Sequence, residues 1–272
     1  MGGISLNNKK LINMVRKLTL GSGEVAIFWL GQNSFIIKTP KGTTFAIDPY
    51  LSREKVFKYV YPRPPVEPED FKVDYIFCTH DHLDHTDPKA LPIIAKHHKE
   101  TIFFGPEESC KHLLRLGVEE KRVNILRAGN SYKICDIKVT AYYSIQPGEK
   151  YIWANTTHLG YIFEVEGIKL YNMGDASLPE ETKKILDPVA KESVDIAMLP
   201  IIGDIPERKP EDAFIFAKII KPKVVIPAHY DCFRDRTIDP KVFAQLFEHE
   251  PGIEPIIIPY KGFYIYKKAL TH

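Results

Sequence analysis

The chain has only four cysteines in 272 residues, and none of them stand in CxxC spacing. Cys78, Cys110, Cys135 and Cys232 are widely scattered, so no disulfide framework is expected and they read as reduced thiols of a cytoplasmic protein. Charge of one sign is also missing. Lys and Arg number 37 against 35 Asp and Glu, and a net charge of +2 gives no general attraction for nucleic acid or an anionic membrane. Apolar runs such as Val224–Pro227 and Ile256–Pro259 fall far short of the ~20 residues that a membrane span needs. The stretch Met1–Leu20 carries Lys9, Lys10, Arg16 and Lys17 and lacks the unbroken apolar core and small-residue cleavage site of a signal peptide, which agrees with a cytoplasmic location. There is no GxSxG nucleophile elbow and no GxxxxGK[ST] phosphate loop, and Gly21-Ser22-Gly23 reads as a turn.

What is present is enough for a sizeable core, since a chain of this length buries about 73% of its unfolded surface on folding. No composition break marks a linker, so residues 1–272 are read as one domain with an N-terminal extension or short helix over 1–20. Apolar Leu11, Ile12, Val15 and Leu18 recur at helical spacing over Lys9–Leu18. Short strands are expected at Val25–Leu30, Phe35–Lys38 and Thr44–Ile47, followed by a long Pro- and Tyr-rich loop over 50–70. From residue 70 strand–loop–helix units appear. Tyr75–Cys78 reads as a buried strand, and Asp87-Pro88 as the N-cap and first position of a helix. Meander strands return at Tyr132–Ile134, Ile137–Tyr142, Leu159–Glu164 and Ile168–Tyr171. They are followed by the helix Pro179–Ala190, the strand Ile196–Leu199, the helix Pro210–Ile220 and the strand Val224–Pro227. A helix over Asp239–His249 and strands at Ile256–Ile258 and Phe263–Tyr266 close the chain. Two halves of this kind predict two mixed sheets face to face with helices outside.

The chemistry is concentrated in one loop. Thr79–Thr86 reads Thr-His-Asp-His-Leu-Asp-His-Thr, with three histidines and two aspartates between His80 and His85, directly after a strand. Imidazole and carboxylate suit zinc, manganese or iron, and so dense a cluster of like titratable groups is costly without a cation. His80 and His82, two apart on extended backbone, share one side, and Asp84 and His85 turn towards a second position. Two metals ~3.5–4 Å apart are a known device for activating water and holding an anionic oxygen. One loop supplies too few ligands. Asp48, Asp175 and His229 each stand at the end of a strand-like segment and are the remaining candidates.

His80-x-His82-x-Asp84-His85, with Asp48 upstream and Asp175 and His229 downstream, resembles the metallo-β-lactamase fold superfamily over roughly residues 24–268. Three segments look most like its ascorbate-6-phosphate lactonase branch: Phe28-Trp29-Leu30-Gly31, Tyr171-Asn172-Met173-Gly174-Asp175 and Val224-Val225-Ile226-Pro227-Ala228-His229-Tyr230-Asp231. The N-acyl phosphatidylethanolamine phospholipase branch is more distant. The resemblance implies an α/β (α+β) fold, a four-layer αββα sandwich of two mixed sheets with metals at one edge. It implies His80 and His82 in site one, Asp84, His85 and His229 in site two, and Asp175 bridging. Asp48 would orient ligands rather than bind. One departure stands out. The superfamily usually has a further histidine between the cluster and the bridging aspartate, but Val139–Gln146 contains none. Site one is then weak, filled by water, or completed by His158, for which a surface or core role is the simpler reading.

The expected cofactor is one or two divalent ions, Zn or Mn, with Asp84 moving the proton and Asp81 an outer group that shares that task. Arg53, Arg63, Tyr230 and Arg234, in the 50–70 loop and after His229, are the candidate substrate-binding residues. Arg suits phosphate geometrically, which points to a small anionic substrate such as a sugar phosphate. No nucleic-acid or membrane partner is expected, and exposed tyrosines would suit a homo-oligomer interface. The leading expectation is a hydrolase that opens a lactone of a phosphorylated sugar. The rivals are a phosphodiesterase acting on a nucleotide or phospholipid, and a non-catalytic metal- or ligand-binding protein.

Overall fold

A computed structural model describes residues 8–147, 155–177, 179–203 and 209–268. The first seven residues of the expected N-terminal extension lie outside this set. The chain divides into two compact units. The first contains residues 1–57, 61–126 and 258–272, and the second contains 58–60 and 127–257.

The first unit opens with helix α1 (Asn8–Lys17). It buries Leu11, Ile12 and Val15 in a core shared with Ala26, Phe28, Ile36, Leu91 and Phe103. Buried Lys38 donates from Nζ to the carbonyls of Val15 (2.7 Å) and Arg16 (2.8 Å) and so satisfies acceptors that the helix end leaves open. The strands β1 (Glu24–Trp29), β2 (Phe35–Lys38) and β3 (Thr44–Ile47) form an antiparallel meander. Then β4 (Tyr75–Phe77), α2 (Ala90–His97), β5 (Ile102–Gly105), α3 (Glu107–Arg115) and β6 (Val123–Ile125) add parallel strands.

The second unit repeats this plan. Strands β7 (Ser131–Ile134), β8 (Ile137–Ile145), β9 (His158–Val165) and β10 (Ile168–Asn172) are antiparallel. Helix α4 (Pro179–Ala190), β11 (Ile196–Pro200), α5 (Pro210–Ile220), β12 (Val224–Ala228), α6 (Pro240–Gln245) and β13 (Glu254–Pro255) follow, with β10 to β13 parallel. The last strand, β14 (Phe263–Lys267), belongs to the first unit, where it pairs with β1. Each unit thus holds a seven-stranded mixed sheet, ordered β14-β1-β2-β3-β4-β5-β6 and β13-β12-β11-β10-β9-β8-β7.

Asp87 caps α2 as its sequence signal indicates: Oδ1 accepts from the amides of Lys89 and Ala90 (both 3.0 Å) and its carbonyl from Leu91 N (3.2 Å), ahead of the regular turns over Ala90–His97. Two expectations need correction. Helix α6 stops at Gln245 and gives way to i+3 bonds such as Phe247 N to the Ala244 carbonyl (3.1 Å). Ile256–Ile258 is not a strand. Pairing with β12 falls on Glu254 and Pro255 and ends with one bond from Ile256 N to Val225 O (2.8 Å).

Candidate metal centre

In open sheets the carboxyl ends of parallel strands leave a crevice for ligands. In the first unit Ile47 of β3 and Phe77 of β4 are register partners, so Asp48 and Thr79 leave the sheet side by side. Phe35 of β2 pairs with Ile47, which brings the Gly31–Ser34 turn to the same edge. Every candidate ligand of this unit follows from that register.

Asp48 is wholly buried and accepts four hydrogen bonds. Thr79 N donates to Oδ1 (2.7 Å). Thr79 Oγ1 (2.6 Å), Asn33 Nδ2 (2.7 Å) and His85 Nδ1 (2.6 Å) donate to Oδ2. These bonds fix two tautomers. His85 carries its proton on Nδ1, which leaves Nε2 as its donor atom for a metal. The Thr79 hydroxyl spends its one proton on Asp48, so it can only accept from His80 Nδ1 (3.0 Å). His80 therefore also presents the lone pair of Nε2. That atom lies 2.9 Å from His82 Nδ1, and two imidazole nitrogens so close need a proton or a cation between them. The His80 and His85 rings are 3.9 Å apart, centroid to centroid. Asp84 is held by Gln32 Nε2 (2.7 Å to Oδ2), and the same oxygen lies 3.6 Å from His85 Nε2. Burial, and then the negative charge of Asp48, push the Cys78 thiol well above its ordinary range.

In the second unit Asp175 leaves β10 through Met173-Gly174, and His229 follows β12. Both are buried, and His229 Nε2 lies 3.0 Å from Asp175 Oδ1. His158 begins β9 and is buried as well. Its ligand atom lies within 4.8 Å of that of Asp175. Gln32, Asp48 and His229 have φ of 53°, 42° and 61°, left-handed values that cost side-chain-bearing residues roughly 1–3 kcal/mol each and cluster at functional sites.

The other predicted residues are placed differently. Asp81 pairs with His112 Nδ1 of α3 at 2.8 Å. Arg53 donates from Nε to the Tyr61 carbonyl (3.0 Å) and from an Nη to the Ser52 carbonyl (2.8 Å). Arg234 donates from Nε to the Tyr59 carbonyl (2.9 Å). Arg53 thus ties down its own loop, and Arg234 fastens the segment after His229 to Tyr59. Tyr230 is buried beside His229, and the Arg63 side chain is exposed. Sequence reasoning missed Gln32, Asn33 and Thr79, and also the second role of Asp87, which accepts from Leu51 N (2.9 Å) and Ser52 N (2.8 Å) and anchors the 50–70 loop. The available signal was Gly31-Gln32-Asn33, two adjacent amide side chains in a turn next to the strand ending at Asp48.

The donors fit divalent metal: His80 and His85 are buried imidazoles whose Nδ1 contacts leave Nε2 as the donor atom, and Gln32 holds the neighbouring Asp84 carboxylate. Among the described residues, no helix is long and apolar enough to cross a membrane.

The comparisons agree with this chemistry. The family model described as the β-lactamase superfamily domain matches residues 26–229. A UPF0173 metal-dependent hydrolase of Polynucleobacter asymbioticus is 30% identical over 227 residues, covering 77% of this chain and 75% of that protein. One from Anoxybacillus flavithermus is 31% identical over 213 residues, covering 76% and 87%. Among solved structures, Igni18, a metallo hydrolase of Ignicoccus hospitalis, shares the fold with a TM-score of 0.68 at 23% identity, covering 90% of this chain and all of that one. The chain belongs to the β-lactamase superfamily domain family and is a metal-dependent hydrolase with the metallo-β-lactamase-like fold of two mixed sheets flanked by helices.

Proposed function

We propose that the two donor sets act together, as one domain, on a pair of divalent ions, Zn or Mn, and that the enzyme opens a lactone of a phosphorylated sugar. His80 and His82 with Asp175 hold one ion in this reading. Asp84, His85 and His229 hold the other. The observation that carries the metal reading is the Asp48 carboxylate, which at 2.6 Å fixes His85 with Nε2 outward. The lactone reading rests on the three lactonase-like segments. One ends in the turn that presents Gln32, and the other two carry Asp175 and His229.

The bound metals would supply an activated water, its pKa brought towards ~7, and a Lewis acid for the carbonyl oxygen. The chain's residues do the rest. Asp84, its Oδ2 fixed by Gln32, takes the proton from the attacking water and passes it to the leaving oxygen. Asp81, engaged by His112, stays in the outer role. Arg63, exposed, is the candidate guanidinium that would meet the phosphate, since Arg53 and Arg234 use their Nε protons on loop carbonyls. Tyr230 packs beside His229.

The test is a substrate panel run on protein reconstituted with Zn or Mn. It contains phosphorylated aldonolactones, their unphosphorylated counterparts, and nucleotide and phospholipid diesters. Turnover of the phosphorylated lactones, lost in Asp175→Ala, is expected. Hydrolysis of diesters with no lactone opening would replace the lactonase reading with the phosphodiesterase one.

A further inference from the structure

We infer that His158 is a metal ligand of this chain, taking the place of the histidine that β8 lacks. The inference rests on the metal reading above. The residues over Val139–Gln146 offer no imidazole, and Ser144, near the end of that stretch, is wholly buried with no hydrogen-bond partner for Oγ among the described residues. The register shows where an imidazole does enter. Strands β8 and β9 are antiparallel, and past an irregularity at Tyr143/Ile145 the partner of Ile145 is His158. The end of β8 and the start of β9 therefore lie at the same sheet edge. Strand β9 is also antiparallel to β10, with Tyr161 opposite Asn172. That edge is the one from which β10 runs out towards Asp175.

Chemistry then selects the atom. The Thr156 carbonyl can only accept, so the 3.0 Å contact places a proton on His158 Nδ1. Nε2 carries the lone pair, the same tautomer that Asp48 imposes on His85. A carbonyl behind Nδ1 is a standard orienting partner for a ligating histidine. The His158 ligand atom is within 4.8 Å of that of Asp175, a limit little above the ~4.4 Å that two bonds of ~2.2 Å to one ion can reach. A core histidine would need no such orientation towards a carboxylate.

The deciding variant is His158→Asn. Its amide nitrogen reaches the place of Nδ1 and keeps the bond to the Thr156 carbonyl, while the Nε2 position is deleted. Metal content per chain is measured on full-length protein reconstituted with Zn, and the visible spectrum is recorded after Co(II) loading. The expected result is two equivalents in the wild type and one in His158→Asn, with one set of cobalt bands lost. A second measurement needs no variant. In ¹⁵N-histidine-labelled wild-type protein, the His158 Nε2 resonance shifts when Zn is added. Two equivalents with unchanged affinity in His158→Asn, or a His158 Nε2 resonance that ignores Zn, would overturn the assignment and leave the metal reading intact. A wild type that takes up no metal would overturn both.

Discussion

Asp48 is the residue on which the first donor set depends, and Asp48→Asn tests this. Oδ2 accepts three donors and Oδ1 accepts one, Thr79 N at 2.7 Å. An asparagine has only one accepting atom. The cheaper orientation keeps its oxygen towards His85, Thr79 Oγ1 and Asn33, and turns its NH₂ against the Thr79 N–H. This loses one charge-assisted bond and leaves a buried donor facing a donor, a cost of about 2–4 kcal/mol. The opposite orientation would confront Asn33 Nδ2 and push His85 into the wrong tautomer, with a proton on Nε2. Either way the neutral amide grips His85 less firmly, and an altered partner of this kind typically lowers metal affinity 10–100-fold. Stability is read from urea unfolding of the metal-free protein, and affinity from Zn competition with a chromophoric chelator. Keeping the two assays separate distinguishes the packing loss from the ligand loss. Asp48→Ala serves as the upper limit, since it leaves four buried donors without their acceptor, each at a cost of about 1–3 kcal/mol. If Asp48→Asn unfolds at the wild-type midpoint and competes for Zn with wild-type affinity, the role given to this carboxylate is wrong.

Burial pushes the Cys110 thiol up to about 12 from its ordinary 9.0. The folded state then keeps a proton that the unfolded chain releases, so this contribution to stability is complete below pH 9 and is lost as pH rises from 9 towards 12. In native protein at pH 8, iodoacetamide should label exposed Cys135 and spare Cys78 and Cys110, and mass spectrometry showing early Cys110 labelling would contradict that burial. Gly160→Ala would place a Cβ 2.8 Å from Tyr171 Oη and 3.0 Å from Cε2 of a fully buried ring, for a cost of about 1–3 kcal/mol. Tyr171→Phe deletes a hydroxyl with no hydrogen-bond partner among the described residues, so the double variant should recover about 1 kcal/mol in a urea double-mutant cycle. Strictly additive effects would show that the two residues do not meet.

Legibility from sequence followed the range of the signal. His80 to His85 stood out because five titratable side chains fall within six positions, and nothing distant is needed to see that such a cluster seeks a cation. Asp48, Asp175 and His229 were readable because a strand's carboxyl end is a local pattern, an apolar run meeting one polar residue. The cap at Asp87 was readable for the same reason, but its second role was not: the carboxylate also accepts from the amides of Leu51 and Ser52, which no local pattern announces.

Gln32 and Asn33 were invisible for a different reason: their partners Asp84 and Asp48 lie 52 and 15 residues away, and only sheet register brings them together. The same register carries the inference drawn for His158, since its position opposite Ile145 depends on where β8 breaks step. The arginines show what residue type alone leaves out. Arg53 and Arg234 look like anion binders because guanidinium fits phosphate, but a loop of this length has many carbonyls of its own to satisfy. Two of those carbonyls, on Tyr61 and Tyr59, claim the Nε protons. Residue type sets what a side chain can bind. The competition from nearby backbone decides how much of that capacity is left for a substrate, and that competition is written in the fold.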